Sequence, residues 1–464
     1  MVKIMKYIDT RGGNKTFNFE QVLLGGLTEN GGLYVPETLP KFTKSEIESM
    51  RGLSYNGLAF KILRPFTEDC FTDAELKNII ELAYKNFSEG EIAPLKKLKD
   101  NILVLELFHG PTLAFKDFAM QILGQMFETV LKRNNAFITI AGATSGDTGS
   151  AAIAAFKNSE RAKIFILHPH NKVSDAQRKQ MTTVISPNVK NIAVEGSFDD
   201  CQNIVKGLFA DAGFKEKYSL SAVNSINWAR IAAQIVYYFY AALKADEKQE
   251  GVSFCVPTGN FGNIFAAYTA KQMGLNIKRL IIASNANDIL TRFINSGVME
   301  QKGVTHTLSP SMDIQISSNF ERLLFDFCAR DQKALNAFMA RFKETGRYDV
   351  PPVMLSEIKK VFTAFKADDG ATLEVIKSIY AQTGVILDPH SAVGVNAALQ
   401  YNGSEPVITL ATAHPAKFGA AVKKALNVEV EVPPSLKKFL EGKERFEVLP
   451  VSLEAVKLYM ENNA

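Results

Sequence analysis

Cysteine is scarce in this chain of 464 residues, and the four present, Cys70, Cys201, Cys255 and Cys328, lie far apart with no C-x-x-C pair among them. That spacing argues against a disulfide framework and a zinc cluster, and each thiol reads as a small buried hydrophobe. Histidine is sparse too: there are six, none in an H-E-x-x-H spacing, so no catalytic metal is expected. Charge of one sign is also lacking. The 53 basic side chains face 49 acidic ones, an excess of +4 with no arginine-rich patch or basic tail, which disfavours nucleic acid as a partner. No uninterrupted apolar run reaches membrane-spanning length, and Met1 to Thr10 holds no apolar core of a secretory signal. The expectation is a cytoplasmic protein that does not enter the membrane. Internal repeats and low-complexity linkers are missing as well, so the domains should pack closely.

What is present is an ordinary globular composition, 46% apolar and 22% charged, in a chain long enough for two or three domains. Residues 1–98 read as a mostly helical domain after a short opening, with helices from Phe19 and over Asp73 to Phe87. From residue 99 strands and helices alternate, the pattern of a mainly parallel sheet covered on both faces. Strands are expected at Ile102 to Leu107, Ala136 to Ala141, Lys163 to Leu167, Asn191 to Val194, Val252 to Val256, Arg279 to Ala283 and Pro406 to Leu410. Asp199 is the expected cap of a helix running to Phe209. A helix-rich span at about 291–381 reads as an insertion packed on the sheet.

One stretch sets a lysine among apolar neighbours. In His109-Gly-Pro-Thr-Leu-Ala-Phe-Lys-Asp-Phe118, a turn at Gly110-Pro111 and a cap at Thr112 lead into a helix. Its apolar positions Phe115, Phe118/Ala119, Ile122/Leu123, Met126/Phe127 and Val130 recur at helical spacing. An amine held against that face is poorly solvated, so part of Lys116 is neutral, nucleophilic and able to form a Schiff base. A lysine that snorkels to water is the ordinary alternative.

Ligands of open parallel sheets bind beyond the carboxyl ends of strands, and four rich loops fall there. Gly259-Asn260-Phe261-Gly262-Asn263 opens a helix with two glycines and reads as a phosphate cup, or more plainly as a capped turn. It matches neither a G-x-G-x-x-G fingerprint nor a Walker loop, which disfavours a dinucleotide or ATP. The second loop, Gly142 to Ser150, offers Thr144, Ser145, Thr148 and Ser150 at another helix start, more hydroxyls than one cap needs, and suits a carboxylate or phosphate. Ser145 is not in a G-x-S-x-G elbow. Two anion cups and one desolvated lysine are what pyridoxal 5'-phosphate requires.

With these motifs in place, the chain resembles the threonine synthases, in the longer subgroup that carries an N-terminal domain. The resemblance rests on the Lys116 and Gly259 stretches, Gly142 to Gly149, Gly31-Gly-Leu-Tyr-Val-Pro36, Ser225-Ile-Asn-Trp-Ala-Arg230, Leu387-Asp-Pro-His-Ser-Ala392 and Thr412-Ala-His-Pro-Ala-Lys-Phe418, in the family's order. It implies an α/β protein of the fold type II class of pyridoxal-phosphate enzymes, similar to the tryptophan synthase β chain, with two open, mainly parallel sheets. The domains would be 1–98, a small α/β domain at 112–218, and a large one formed by 99–111 and 219–464. Lys116 would carry the cofactor, Gly259, Asn260, Phe261, Gly262 and Asn263 its phosphate, and Thr412 would face its ring nitrogen. Ser145, Thr148 and Thr144 would meet the substrate carboxylate.

The same resemblance implies a lyase of threonine biosynthesis that turns O-phospho-L-homoserine into L-threonine and phosphate, acting as a monomer or homodimer. Arg230, Lys417 and Ser317 are the candidates for the substrate phosphate. Asp147 departs from the pattern, because many relatives of this fold place there an asparagine that bonds the cofactor's ring oxygen; Asn227 is the possible substitute. A related phospho-lyase or amino-acid deaminase is the nearest alternative activity. A non-catalytic phosphate-ligand binding protein is the alternative of another class.

Overall fold

Short runs of Val, Ile, Leu and Phe bounded by turns form the strands, and a computed structural model describes them over residues 4–88 and 90–463. Met1 to Lys3 of the opening segment, and the outermost domain bounds, residues 1 and 464, lie outside the described residues. Strands β1 (Tyr7–Asp9) and β2 (Tyr34–Pro36) pair antiparallel beside the helices Phe19–Gly25, Tyr55–Thr67 and Asp73–Tyr84. This first part of the chain is therefore mostly helical around one small two-stranded sheet.

Strands β3 (Leu95–Lys99) and β4 (Ile102–Glu106) belong to the large sheet; β5 (Ile138–Ala143), β6 (Ala162–Pro169), β7 (Val189–Val194) and β8 (Leu220–Ser221) to a smaller one. The large sheet continues with β9 (Val252–Pro257) and β10 (Ile277–Ser284). After an antiparallel pair, β11 (Val298–Glu300) and β12 (Arg347–Asp349), it gains β13 (Phe362–Lys366) and β14 (Val407–Ala411). Its order is β13-β10-β9-β14-β4-β3, parallel apart from β3 on β4. The smaller sheet, β15-β7-β6-β5-β8, is parallel throughout and closes with β15 (Glu447–Leu449). All six residues of β9 are buried, as a strand covered on both faces requires.

The domain bounds drawn on the sequence differ from this in three places. Leu220 and Ser221 pair with β5, so the small sheet reaches past residue 218. The C-terminal strand β15 and helix Leu453–Glu461 return to the small sheet, with Val456 and Met460 in its core. Within 291–381, β13 pairs with β10 in the large sheet, so that span is not wholly an insertion. Long-range pairing decides each case, and two- to five-residue strands carry little periodicity of their own.

The helix Lys116–Arg133 is central. Phe118, Ala119, Ile122, Leu123, Met126, Phe127 and Val130 are buried as their spacing implies, and Phe118 meets Tyr55, Phe87 and Tyr237 edge-on. Truncating such an aromatic costs about 3–5 kcal/mol. The helix starts differently from expectation. Its cap position is Phe115, without a side-chain bond, while the Thr112 hydroxyl donates to Asp117 Oδ1 at 2.8 Å. Ser197, not Asp199, caps the helix Phe198–Ala210, in a box closed by Asp200.

Candidate active site

Because β9, β14 and β4 are adjacent and parallel, the chain leaves all three at one edge. Gly259–Asn263 follow β9, Thr412 follows β14, and the stretch to Lys116 follows β4. Two backbone bonds join the last two: Phe115 N–H donates to Thr412 O at 2.9 Å, and Leu107 N–H to Ala411 O at 2.9 Å. The small sheet brings the fourth loop, after β5.

The Lys116 side chain is 13% exposed, with Nζ 3.6 Å from Asp147 Oδ2. Burial lowers its pKa; Asp147 pulls it back up, and the nearby charges of Lys417 and Arg230 lower it further. The snorkelling alternative is thus not what the fold adopts. Asp147 opens the helix Asp147–Phe156, and its Oδ1 lies 2.8 Å from both Lys417 Nζ and Gln177 Nε2. Burial alone would raise the Asp147 carboxyl, but Lys417 and Lys116 outweigh it and hold it well below the usual carboxylate range. Asp147 is therefore ionised, and its first partner is Lys417. The Lys417 ammonium also donates to Thr112 O at 2.7 Å and is fully buried. Thr112 is held by Asp117, whose carboxyl burial pushes up to about 6 against the Thr112 bonds. Gly110 is needed here, since a Cβ there would come within 2.5 Å of Asp117 Cβ.

In the cup, the amides from Gly259 to Asn263 make no hydrogen bond among the described residues. Phe261 adopts the left-handed conformation at φ 64°, opening the helix Gly262–Gln272. Asn263 Oδ1 accepts from the Tyr237 and Tyr238 hydroxyls, which leaves its buried Nδ2 with no partner. Unpaired donors gathered in one short loop are what a phosphate would satisfy.

At the second loop Thr144 has a structural role, because its hydroxyl oxygen accepts from Gly146 N–H at 3.0 Å and Gly149 N–H at 2.9 Å. Ser150 turns to the carbonyls of Gly146 and Asp147. The hydroxyls of Ser145 and Thr148 make no hydrogen bond among the described residues and are half-buried. Arg230 is buried; Nη1 reaches Val223 O at 3.0 Å, Nε has no partner, and burial lowers the group to about 10. No carboxylate lies within ion-pair distance of it among the described residues.

Two expected residues are otherwise engaged. Asn227 caps the helix Trp228–Ala245 through Oδ1 and donates Nδ2 to Leu23 O at 2.8 Å, so its amide ties the N-terminal domain down. Ser317 donates to Gly259 O at 2.7 Å. Thr412 is held by a relay unforeseen in the sequence: Asp388 accepts from the Ser391 hydroxyl, which accepts from Thr412 N–H at 3.0 Å. His390 lies between Asp388, 2.9 Å away, and Ser311 N–H, whose bond to Nε2 is 3.2 Å. His109 pairs with Glu106 at 2.8 Å, and His414 packs on Phe108. Among the described residues no cluster of metal-ligating side chains occurs.

Comparison with known proteins decides the family. Models described as "Threonine synthase N terminus", "Pyridoxal-phosphate dependent enzyme" and "Threonine synthase, C-terminal" match residues 6–84, 90–339 and 391–460. A threonine synthase of Pseudomonas aeruginosa is 50% identical over 459 residues, 98% of each chain. The chain belongs to the threonine synthase family. Among solved structures, the pyridoxal-phosphate-bound threonine synthase of Brucella melitensis has 48% identity and a TM-score of 0.96 over 99% of both chains. The yeast threonine synthase has 41% identity and a TM-score of 0.94 over 99% and 98%. The fold is the fold type II pyridoxal-phosphate architecture, and the cofactor of this lyase is pyridoxal phosphate. Its residues fit that cofactor: a desolvated lysine, five unpaired amides and the orphaned Asn263 Nδ2 meet at one edge. No helix among the described residues is long and apolar enough to cross a membrane.

Proposed function

We propose that the enzyme converts O-phospho-L-homoserine and water into L-threonine and inorganic phosphate. The observation that carries this reading is the Lys116 amine beside a buried arginine that has no acidic partner and a helix start with two free hydroxyls. In this assignment Gly259, Asn260, Phe261, Gly262 and Asn263 hold the cofactor phosphate, and the Thr412 hydroxyl meets the ring nitrogen. Ser145, Thr148 and the amides beside them hold the substrate α-carboxylate. Thr144 supports that loop from inside. Arg230, whose fixed charge lacks a counter-ion, takes the substrate phosphate.

Pyridoxal phosphate, when bound, supplies an aldehyde that combines with amines and a ring that accepts electrons from Cα. Lys116 would hold it, and its amine would carry protons. It would take one from Cα and one from Cβ, deliver one to Cγ as the C–O bond to the departing phosphate breaks, and return one to Cα after water has added at Cβ. Water then adds at Cβ, so a C–O bond at Cγ is exchanged for one at Cβ. Burial keeps part of the Lys116 amine neutral for these transfers, and Lys417 keeps Asp147 from claiming the proton. Closure around the substrate excludes bulk water.

The test is to supply O-phospho-L-homoserine to wild-type protein and to Lys116→Ala and assay both products. Threonine and phosphate in equal amounts, from the wild type alone, are expected. A keto acid with ammonia would instead assign the phospho-lyase or deaminase reaction.

A further inference from the structure

The cup does not hold its own shape. A trans peptide is planar with its C=O and N–H antiparallel, so fixing one carbonyl aims the next amide the opposite way. Two carbonyls of the cup are fixed from outside. Ser317 Oγ donates to Gly259 O at 2.7 Å, which aims the Asn260 amide away from Ser317. Asn319 donates to Asn260 O twice, from its backbone N–H at 3.1 Å and from Nδ2 at 3.0 Å, which aims the Phe261 amide away from Asn319.

Asn319 is in turn locked. It is fully buried, its Nδ2 also reaches Ser225 O at 3.3 Å, and its Oδ1 accepts from Arg322 Nη1. Arg322, fully buried, has no carboxylate partner among the described residues: its other donors go to Tyr34 O, at 3.1 and 2.9 Å, and to Ile226 O at 2.6 Å. Tyr34 lies in strand β2 of the N-terminal domain. Gly262 completes the arrangement, since a Cβ there would stand 3.2 Å from Asn319 Nδ2. Neighbouring Glu321 ties the helix Phe320–Phe327 to Thr10 at 2.6 Å and Arg11 at 2.7 Å.

We infer that Ser317 and Asn319 are positioning residues that hold the phosphate cup open, and that Arg322 anchors Asn319 to the N-terminal domain. The inference rests on the reading of residues 259–263 as the cup for the cofactor phosphate. Cup affinity is then set partly by a domain that supplies no group to the cup itself.

The experiment titrates the cofactor-free full chain with pyridoxal 5'-phosphate and, separately, with pyridoxal, following visible absorbance. The variants are Ser317→Ala, the double variant Ser317→Ala/Asn319→Ser, and Gly262→Val. In the double variant the dissociation constant for pyridoxal 5'-phosphate should rise about tenfold, while that for pyridoxal, which lacks the phosphate, stays unchanged. Ser317→Ala, a half-buried change that spares the core, should move the same ratio in the same direction. Equal weakening of both ligands would mean a general structural role and overturn the proposal. Unchanged phosphate affinity in the double variant, with affinity lost in Gly262→Val, would sink the positioning role and leave the cup standing. Wild-type affinity in Gly262→Val would remove the cup and the proposal together.

Discussion

Lys417 Nζ stands 2.8 Å from Asp147 Oδ1, whereas Lys116 Nζ stands 3.6 Å from Oδ2 of the same carboxylate. Lys417 is the closer partner, so the amine proposed to react is not the one committed to the ion pair. Replacing Lys417 by Met leaves Asp147 with Lys116 alone. The Lys116 pKa should then rise, because a lowering charge is lost and the raising one is uncompensated. The rising, acid-side limb of the rate profile, which reports the neutral amine, should move to higher pH, and stability should fall by about 3 kcal/mol, since one half of a buried pair is left behind. Asp147→Asn/Lys417→Met should recover part of that stability in urea denaturation. An unmoved limb would refute the division of labour between the two lysines.

Arg230→Gln should raise KM for the phosphorylated substrate by about tenfold or more while leaving the visible cofactor band as it is. A lost band with normal KM would place Arg230 on the cofactor instead.

Two histidines are held neutral by burial, His168 and His414, each lowered to about 4. A base whose folded pKa is depressed contributes stability above its unfolded value near 6.5, and loses it as pH falls towards 4. Stability should therefore decline between about pH 6.5 and 4, by up to ~3 kcal/mol per histidine. His168 has both ring nitrogens unpartnered among the described residues and lies edge-on to Phe446. His168→Phe should gain about 1 kcal/mol at pH 7 and flatten the acid slope, as read from denaturation midpoints at pH 7 and 5.

Gly146 has φ 142°, and a Cβ on it would come within 2.5 Å of Gln177, which holds Asp147. Gly146→Ala should cost ~2 kcal/mol and raise KM, because the start of the helix that carries Thr148 must shift. Retained KM with lowered stability would separate that loop from substrate binding.

Much of this was legible in the chain itself. The apolar runs of β4, β9 and β14 and the helical period of 116–133 are local properties, and they place Lys116, Gly259 and Thr412 at strand ends. The hydroxyl surplus of Gly142 to Ser150 also held meaning: Thr144 caps, and Ser145 and Thr148 are left free. What escaped was pairing across distance. Asn227 sits in a family motif yet bonds Leu23, and Ser391, in another motif and with no role read from the sequence, carries the Thr412 amide.

Sequence alone determined the alternation of strand and helix, the lysine on an apolar face and the glycines of the cup, because each follows from side chains a few residues apart. Tertiary structure alone decided which charges meet. Asp147 and Lys417 are 270 positions apart, and whether a buried carboxylate is paired depends on what the fold brings within about 4 Å, where Coulomb energy in a poorly solvated interior is large. The same holds for the return of β15 to the small sheet and for the buried Arg322 bonded to Tyr34: both satisfy backbone groups whose partners only the folded chain supplies.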